Sequence, residues 1–380
     1  MAAFNTILFG TGPLQLGLVL DRLHPDQQTP PVVLVGPDRP GDKDMHAKLR
    51  NGIEIAPISG TPKSWTGLDP LEITTPDAWV DVVADSATEL LSVSIPETAQ
   101  TEYSDALCAA IDQRNADAPP LLVLLAVNGL SDTLHDGLTG IDAAKCEVIP
   151  AAVDRMCPKP VPDLDHVLIR PESFAGEVKI RAPFTESAAS AFISERFDLV
   201  DSLQPHRDLK LWVFNGAHAF AAYNAYLDGY DVEAPLGAYL AGESDILELI
   251  EQFQGEMIEV LAMLHPSELS VEAMIASAQT YRNRITADRE QKVSDVAKRV
   301  ISGAGSDDFI NDWGKKFVEP ARLLTELRSF SGSTPTLITA LHNRVTERVT
   351  EARGWELPTL DVWPVPRPTF ADALDSGNDS

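Results

Sequence analysis

Short apolar runs separated by segments of helical spacing dominate the first third of the chain. Four runs stand out, and each is followed by glycine, proline or asparagine: Phe4 to Phe9, Val32 to Val35, Leu90 to Ile95 and Leu121 to Val127. Their continuous hydrophobicity favours strands that are buried on both faces. The residues around Tyr103 to Arg114 have helical spacing, so strands and helices alternate. This alternation predicts an α/β protein with a parallel, doubly wound sheet.

The pattern changes at about residue 190. From Ala191 to Arg353 the spacing is mostly helical, and strand signals are few. The sequence therefore predicts three parts, namely an α/β domain over residues 1–190, a mostly helical domain over 191–360 and an acidic, proline-containing tail over 361–380.

The charge of the chain excludes several classes of partner. Lysine and arginine number 30 against 57 aspartates and glutamates, which gives a net charge of −27. Such a body repels nucleic acid and anionic membrane surfaces. The most apolar run, Leu121 to Val127, is too short for a membrane helix, and no Lys or Arg precedes Arg22 to begin a secretory signal. We therefore expect a cytoplasmic protein that binds neither nucleic acid nor membranes.

The cysteine and histidine positions give no sign of a metal site. The three cysteines form no CxxC pair, and the eight histidines form no HxxxH or HExxH pair. We therefore expect reduced thiols and no metal.

A glycine turn follows the first predicted strand. Gly10 and Gly12 are followed by Pro13 and a segment of helical spacing. In this position a glycine turn brings backbone N–H groups and a helix N-terminus to a pyrophosphate, so a Rossmann-type dinucleotide site is predicted. Gln15 stands where the usual fingerprint has its third glycine, whereas Gly17 would let the helix lie close to the sheet.

The residues after the second strand bear on the choice of cofactor. Asp38 would bind the ribose 2′-hydroxyl of NAD, whereas Arg39 would meet the extra phosphate of NADP, and a solvated turn explains either residue equally well. NAD is favoured, with NADP as the alternative. The expected cofactor-binding residues are Gly10, Thr11, Gly12, Pro13, Leu14, Asp38, Arg39 and Ser94.

Three polar residues interrupt an apolar segment in the helical part. Lys210, Asn215 and His218 would share one broad face of an α-helix at about 100° per residue. Burial would disfavour the ammonium form of Lys210 and make a neutral base available. The structural alternative is a lysine at a helix start, a capping asparagine and a core histidine.

The glycine turn and the Lys-x4-Asn-x2-His spacing together resemble the polyol-specific long-chain dehydrogenases. Three further patches are similar to the family, namely Asn128 after a strand, Val153-Asp154-Arg155 followed by Pro158, and Pro171 to Phe174. The resemblance runs from residue 7 to about 230 and more thinly to about 325. Gln15, Gly36 and the region from Ile301 to Phe317 depart from the family pattern.

The resemblance implies a metal-free hydride transfer between a sugar alcohol and NAD or NADP. Lys210 would be the base, Asn128 and Asn215 would donate to the reacting oxygen, and His218 would position the substrate. The leading pair is mannitol 1-phosphate and fructose 6-phosphate. The alternative substrates are free mannitol with fructose, or a hexuronate with its reduced form. The alternative classes of protein are a hydroxyacid or glycerol-phosphate dehydrogenase and a non-catalytic NAD(P)-binding sensor.

A phosphorylated substrate requires local cations in this acidic chain. The segment from Arg282 to Arg299 carries six cationic residues against three acidic ones, and Arg284 and Arg299 are its candidate substrate ligands. A solvated helix face is the alternative. Arg155 is a further candidate, with a structural salt bridge as its alternative. No feature demands a protein partner, so a monomer or weak homodimer is expected.

Overall fold

A computed structural model of the chain describes residues 4–24, 32–35, 45–57, 60–72, 76–127, 132–155, 157, 160–163, 165–172, 176–182, 185–242, 244–287, 296–298, 311–328, 336–353, 358–360 and 362. The chain forms two compact units, of which one ends at Leu203 and the other begins at Gln204. Apart from Val362, the expected tail over 361–380 lies outside the described residues.

The first unit contains two sheets and short helices. Its strands are β1 Asn5–Phe9, β2 Val32–Val35, β3 Ile53–Ile55, β4 Lys63–Trp65, β5 Asp69–Glu72, β6 Thr88–Val93, β7 Leu121–Leu125, β8 Cys146–Asp154, β9 Val161–Pro162, β10 Val167–Ile169, β11 Glu177–Arg181 and β12 Asp198–Val200. Its α-helices are α1 Leu20–Leu23, α2 Met45–Asn51, α3 Pro76–Ala84, α4 Glu97–Asp112, α5 Asp132–Thr139 and α6 Ala188–Ser194.

The larger sheet has the topology of a Rossmann domain. Its eight strands lie in the order β12-β11-β8-β7-β6-β1-β2-β5. The six strands from β5 to β8 are parallel and follow the 3-2-1-4-5-6 order of dinucleotide-binding sheets. β11 adds an antiparallel neighbour to β8, and β12 pairs in parallel with β11. The α/β fold class predicted from the sequence is confirmed.

Burial on both faces explains the apolar runs. In β7, Leu121, Val123 and Leu125 join one hydrophobic cluster, whereas Leu122 and Leu124 join the other. Helices cover both faces of a parallel sheet, so neither set of side chains meets water.

The sequence did not predict the last strands of the first unit or its second sheet. The first unit extends beyond the expected boundary at residue 190, because α6 leads into β12, which pairs with β11. The second sheet has the order β4-β3-β10-β9. Its strands contain only two or three residues, too few to establish an alternating pattern.

The second unit is helical, as the sequence predicted. Its α-helices are α7 Gln204–Asp208, α8 Ala217–Leu227, α9 Leu236–Gly242, α10 Ser244–Leu264, α11 Val271–Ala287, α12 Glu319–Arg328 and α13 Thr336–Arg353. An aromatic cluster joins several of them, with ring centroids 5.0 Å apart for Phe220 and Phe253 and 5.9 Å apart for Phe253 and Phe317. Among the helices that the structure describes, none combines the length and apolarity required to cross a bilayer.

Within the part of the chain that the structure describes, three helical segments have π rather than α geometry. They are Gln15–Val19, which leads into α1, Leu209–Gly216, which leads into α8, and Gly314–Val318, which leads into α12. π turns pair residue i with residue i+5 and occur frequently at functional sites.

The π turn after β1 packs tightly at Gly17. A Cβ atom at Gly17 would lie 2.9 Å from Sγ of Cys157 and 3.3 Å from Cγ2 of Ile169. The close contacts at Gly17 are therefore to Cys157 and to β10 of the second sheet, which the sequence did not predict.

We expect the substitution Gly17→Val to destabilise the protein by about 1–3 kcal/mol, because its side chain would overpack this contact. The same substitution at Gly255, where a Cβ atom would meet nothing within 4 Å, is the matched control. It should change the stability by less than about 0.5 kcal/mol. Urea unfolding of both variants measures the difference, and equal stabilities would show that the contact at Gly17 has no energetic importance.

Candidate active site

The glycine turn follows β1 at the carboxyl end of the strand. Gly10 has a φ of 112°, a backbone conformation that favours glycine. A Cβ atom there would lie 2.5 Å from Cγ2 of Ile95 and 2.8 Å from the carbonyl oxygen of Ser94. The turn can therefore approach the end of β6 because residue 10 has no side chain.

This turn lies where the strand order of the sheet reverses, since β1 pairs with β2 on one side and β6 on the other. Open α/β sheets bind ligands at such a point. Ser94 follows β6, is 9% exposed and donates its backbone N–H to the Phe9 carbonyl at 3.1 Å. The Leu16 N–H donates to the Gly12 carbonyl at 3.1 Å, so the amides of the preceding residues can face an anion.

The structure thus brings together one set of predicted cofactor residues, namely Gly10, Thr11, Gly12, Pro13, Leu14 and Ser94. Asp38 and Arg39 lie outside the described residues.

Gln15 has a role inside the fold that explains one departure from the glycine fingerprint. Its side chain is fully buried. The Gln15 amide nitrogen donates to the Ser92 carbonyl at 3.3 Å, and the Ser92 hydroxyl donates to the Gln15 amide oxygen at 3.0 Å. The two hydrogen bonds attach the first helical turn to β6, next to the glycine turn.

Arg155 makes its contacts within the first unit. Its Nη1 donates to the Gly17 carbonyl at 2.6 Å and lies 3.1 Å from Oδ2 of Asp21, and its side chain is 2% exposed. Lys63 also pairs with Asp21. These contacts favour the salt-bridge role of Arg155 over substrate binding.

The segment with Lys210 and Asn215 corrects the α-helical geometry assumed from the sequence. In an α-helix these two residues would be about 140° apart around the axis. They lie instead in the π-helix Leu209–Gly216, in which residues five apart occupy adjacent turns. The structure therefore places Lys210 and Asn215 one turn apart, with Lys210 half-buried and Asn215 exposed.

His218 lies in the first turn of α8 and contacts a tyrosine that sequence reasoning missed. Its Nδ1 is 3.1 Å from the hydroxyl of Tyr281, on α11. The Tyr281 ring is 5% exposed and stacks on Phe214 of the π-helix, with centroids 5.2 Å apart. The guanidinium carbon of Arg284 is 5.9 Å from the same ring. Tyr281 is 63 residues from His218, so no local sequence signal could have joined them.

The arginines of the cationic segment from Arg282 to Arg299 have different surroundings. Arg282 is 9% exposed and donates to the side chains of Gln254, Glu251 and Gln279, so its guanidinium is engaged inside the second unit. Arg284 lies beside the ring of Tyr281, and the hydroxyl of Tyr281 contacts His218. Arg299 and Asn128 lie outside the described residues.

A carboxylate that the sequence did not single out precedes the π-helix. Asp208 is 9% exposed, and its two oxygens lie 2.8 Å from Nε2 of Gln204 and 2.8 Å from Nε2 of His265. His265 is distant in sequence, so only the tertiary structure reveals this pair. The contacts fix the backbone two residues before Lys210.

The cysteines are free thiols with packing roles. Burial raises the pKa of Cys157 and Cys146 to about 12, and burial together with Asp105 raises the pKa of Cys108 to about 11. Neutral thiols are poor nucleophiles and metal ligands. Within the described ranges, no group of three or more His, Cys, Asp and Glu side chains could hold a metal ion.

Curated proteins similar to this chain carry the name mannitol-1-phosphate 5-dehydrogenase. The one from Chaetomium globosum is 27% identical over 270 residues, which cover 66% of this chain and 60% of the relative. The one from Talaromyces marneffei is 25% identical over 238 residues, or 59% of each chain. The chain thus spans about 60% of the length of these relatives. No protein-family model matches the chain.

Two solved structures have the same fold. A D-sorbitol dehydrogenase in substrate-free form aligns with a TM-score of 0.64 at 14% identity, covering 91% of this chain and 81% of its own. Mannitol 2-dehydrogenase from Pseudomonas fluorescens was solved as a ternary complex with NAD and D-mannitol. It aligns with a TM-score of 0.59 at 14% identity, and the alignment covers 100% of this chain and 85% of its own.

The fold is that of the Rossmann-type dehydrogenases with a helical second part. Within this class, the relatives confirm the resemblance that the sequence motifs indicated, which is to the polyol dehydrogenase family.

The contact between Gln15 and Ser92 generates a test of the glycine turn. We expect Gln15→Met to destabilise the protein by about 1–3 kcal/mol, because it removes the acceptor of the buried Ser92 hydroxyl and a donor to the Ser92 carbonyl. Ser92→Ala in the same background should recover part of the loss, since it removes the unpaired hydroxyl. Urea unfolding of the two single variants and the double variant measures the coupling. Strictly additive losses would contradict a direct contact.

Proposed function

We propose that the chain is an NAD-dependent dehydrogenase that interconverts mannitol 1-phosphate and fructose 6-phosphate. The observation that carries the proposal is the placement of Lys210 and Asn215 one π turn apart. It occurs in a chain whose other unit has a glycine turn at the switch point of a Rossmann sheet. The names of the curated relatives support the same substrate pair.

The glycine turn fits the pyrophosphate of a dinucleotide. Because Gly10 has no side chain, the turn packs against Ser94 and Ile95, and its backbone N–H groups would bind the pyrophosphate. Asp38 would bind the ribose of NAD, with Arg39 as the residue that would admit NADP instead. When bound, NAD accepts a hydride from the carbon that bears the reacting hydroxyl.

Lys210 is the base in this proposal. In the direction of polyol oxidation, its neutral amine takes the hydroxyl proton at Nζ while the substrate carbon loses its hydride, and a ketose results. In the reverse direction the ammonium returns the proton to the oxygen.

Amide donors would stabilise the reacting oxygen. Asn215, one turn from Lys210, donates its N–H to the oxygen as negative charge develops, and Asn128 is the second donor. Loss of one such donor typically lowers the rate by about 10²- to 10³-fold.

His218 and its neighbours would position the substrate. The Tyr281 hydroxyl fixes the ring of His218 through Nδ1, so that His218 meets the substrate in one orientation. Arg284, beside Tyr281, is the phosphate ligand in this proposal, with Arg299 as a second candidate. The protein would act on this small molecule in the cytoplasm as a monomer or weak homodimer.

The proposed reaction is tested by absorbance at 340 nm, with NADH and NADPH offered separately to fructose 6-phosphate and then to fructose. We expect oxidation of NADH with fructose 6-phosphate. Turnover of fructose alone would contradict the phosphate site and retain the mechanism. Cofactor binding without turnover of either ketose would favour a hexuronate substrate or a sensor.

Lys210→Ala tests the base. We expect turnover to be abolished, while the dissociation constant for NADH stays within a few-fold of the wild-type value. Lys145→Ala, which removes a lysine that pairs with Asp112, is the control and should retain activity. Unchanged turnover in Lys210→Ala would exclude this residue as the base.

Tyr281→Phe tests the orientation of His218. The variant keeps the stacking on Phe214 but removes the hydroxyl, so we expect kcat/KM for the ketose to fall by roughly ten-fold, equivalent to about 1.4 kcal/mol. The ketose kinetics and the NADH affinity are measured together. A fall in NADH affinity with normal ketose kinetics would place Tyr281 outside the substrate site.

A further inference from the structure

Gln254 is a polar side chain on the buried face of α10. Gln254 is 1% exposed, and its neighbours Phe253 and Met257 on the same helix are fully buried. A buried amide is costly unless both its oxygen and its nitrogen find hydrogen-bond partners. The partners of Gln254 lie on two other elements, and one of them is the π-helix that carries Lys210 and Asn215.

The nitrogen of the Gln254 amide binds the backbone of the π-helix. It donates to the Val213 carbonyl at 2.9 Å. A π-helix pairs each carbonyl with the N–H five residues on, so one carbonyl is passed over where the helix returns to the four-residue pairing of an α-helix. Val213 lies four residues before Ala217, where α8 begins. Gln254 thus supplies a side-chain donor at the point where the backbone pattern changes.

The oxygen of the Gln254 amide is held by Arg282 on α11. Nη1 of Arg282 donates to it at 2.6 Å. A guanidinium only donates hydrogen bonds, so this contact requires the amide oxygen to face Arg282 and the nitrogen to face Val213. Arg282 is fixed in turn by Glu251 at 2.9 Å and Gln279 at 2.6 Å.

A second anchor holds the adjacent residue of the same π-helix. The indole N–H of Trp212 donates to the Lys315 carbonyl at 3.0 Å, within the π-helix Gly314–Val318. The chain between Lys210 and Asn215 is therefore held at two successive residues, by the side chain of Trp212 and by the carbonyl of Val213.

We infer that Gln254 is a positioning residue for the reaction proposed above, on which this inference rests. Gln254 is 1% exposed, and both polar atoms of its amide are engaged within the protein. It holds the Val213 carbonyl and so keeps the backbone in the π form that places Lys210 and Asn215 one turn apart, while Arg282 fixes the orientation of its amide.

The test is Gln254→Met, which keeps the length of the side chain and removes the donor. We expect kcat with the ketose to fall by roughly ten- to hundred-fold, because small displacements of catalytic groups have effects of this size. NADH affinity should stay within about two-fold, since the glycine turn belongs to the other unit. Hydrogen exchange should be faster at the backbone amides of residues 209–218.

Two control variants separate positioning from general loss of stability. Gln252→Met makes the same change at an exposed position of α10, two residues from Gln254, and should leave kcat unchanged. Arg344→Met removes hydrogen bonds to Asn224 and Asp228 that join α13 to α8. It should lower the melting temperature, whereas kcat at a temperature well below melting should remain.

The outcomes distinguish this inference from the proposed function. Wild-type kcat in Gln254→Met, or an equal loss of kcat in Arg344→Met, would overturn the positioning role while the dehydrogenase reaction stands. No turnover by the wild-type protein, or full activity in Lys210→Ala, would overturn the proposed reaction and the role of Gln254 in it. A loss of kcat confined to Gln254→Met, with faster exchange over residues 209–218, would establish the inference.

Discussion

The burial of the central strands on both faces constrains the whole first unit. Every residue of β7 is buried, and its side chains alternate between two separate hydrophobic clusters. Such a strand must have strand neighbours on both edges and helices over both faces, so neither face of the sheet is available for chemistry. The ends of the strands remain, and the glycine turn lies at one of them. The location of the predicted cofactor site is therefore a consequence of how this sheet is covered.

The tight packing of the glycine turn explains both its agreement with the dinucleotide fingerprint and its departure from it. Gly10 is required because Ser94 and Ile95 leave no room for a Cβ atom. Gln15 replaces a glycine without disturbing the turn, because its amide is directed into the sheet and pairs with Ser92. The departure thus alters how the helix is attached to β6, and the backbone of the turn itself is retained.

In the second unit, the hydrogen bonds of buried polar groups constrain the structure around the candidate site. A π-helix at Leu209–Gly216 shifts the backbone pairing, and neighbouring helices hold this region by a bond from the Gln254 side chain to the Val213 carbonyl and one from the Trp212 indole to the Lys315 carbonyl. Polar residues on buried helix faces, such as Gln254 and Arg282, are explained by this need. The arrangement joins residues 210–218 to α10 and α11, so the candidate site depends on helices that carry none of the residues of the Lys/Asn/His spacing.

The sequence by itself determined the α/β class, the four central strands and the glycine turn, because continuous apolar runs and glycine spacing are local signals. It also determined the Lys210, Asn215 and His218 spacing and, through it, the family resemblance. The tertiary structure alone decided the π geometry of that segment, the contact of His218 with Tyr281 and the engagement of Arg282 inside the helical unit. These features depend on contacts between residues far apart in the chain. A helical pattern predicts which face is apolar, but it does not give the pairing of the backbone, which in this segment is accompanied by a hydrogen bond from Gln254 on a neighbouring helix.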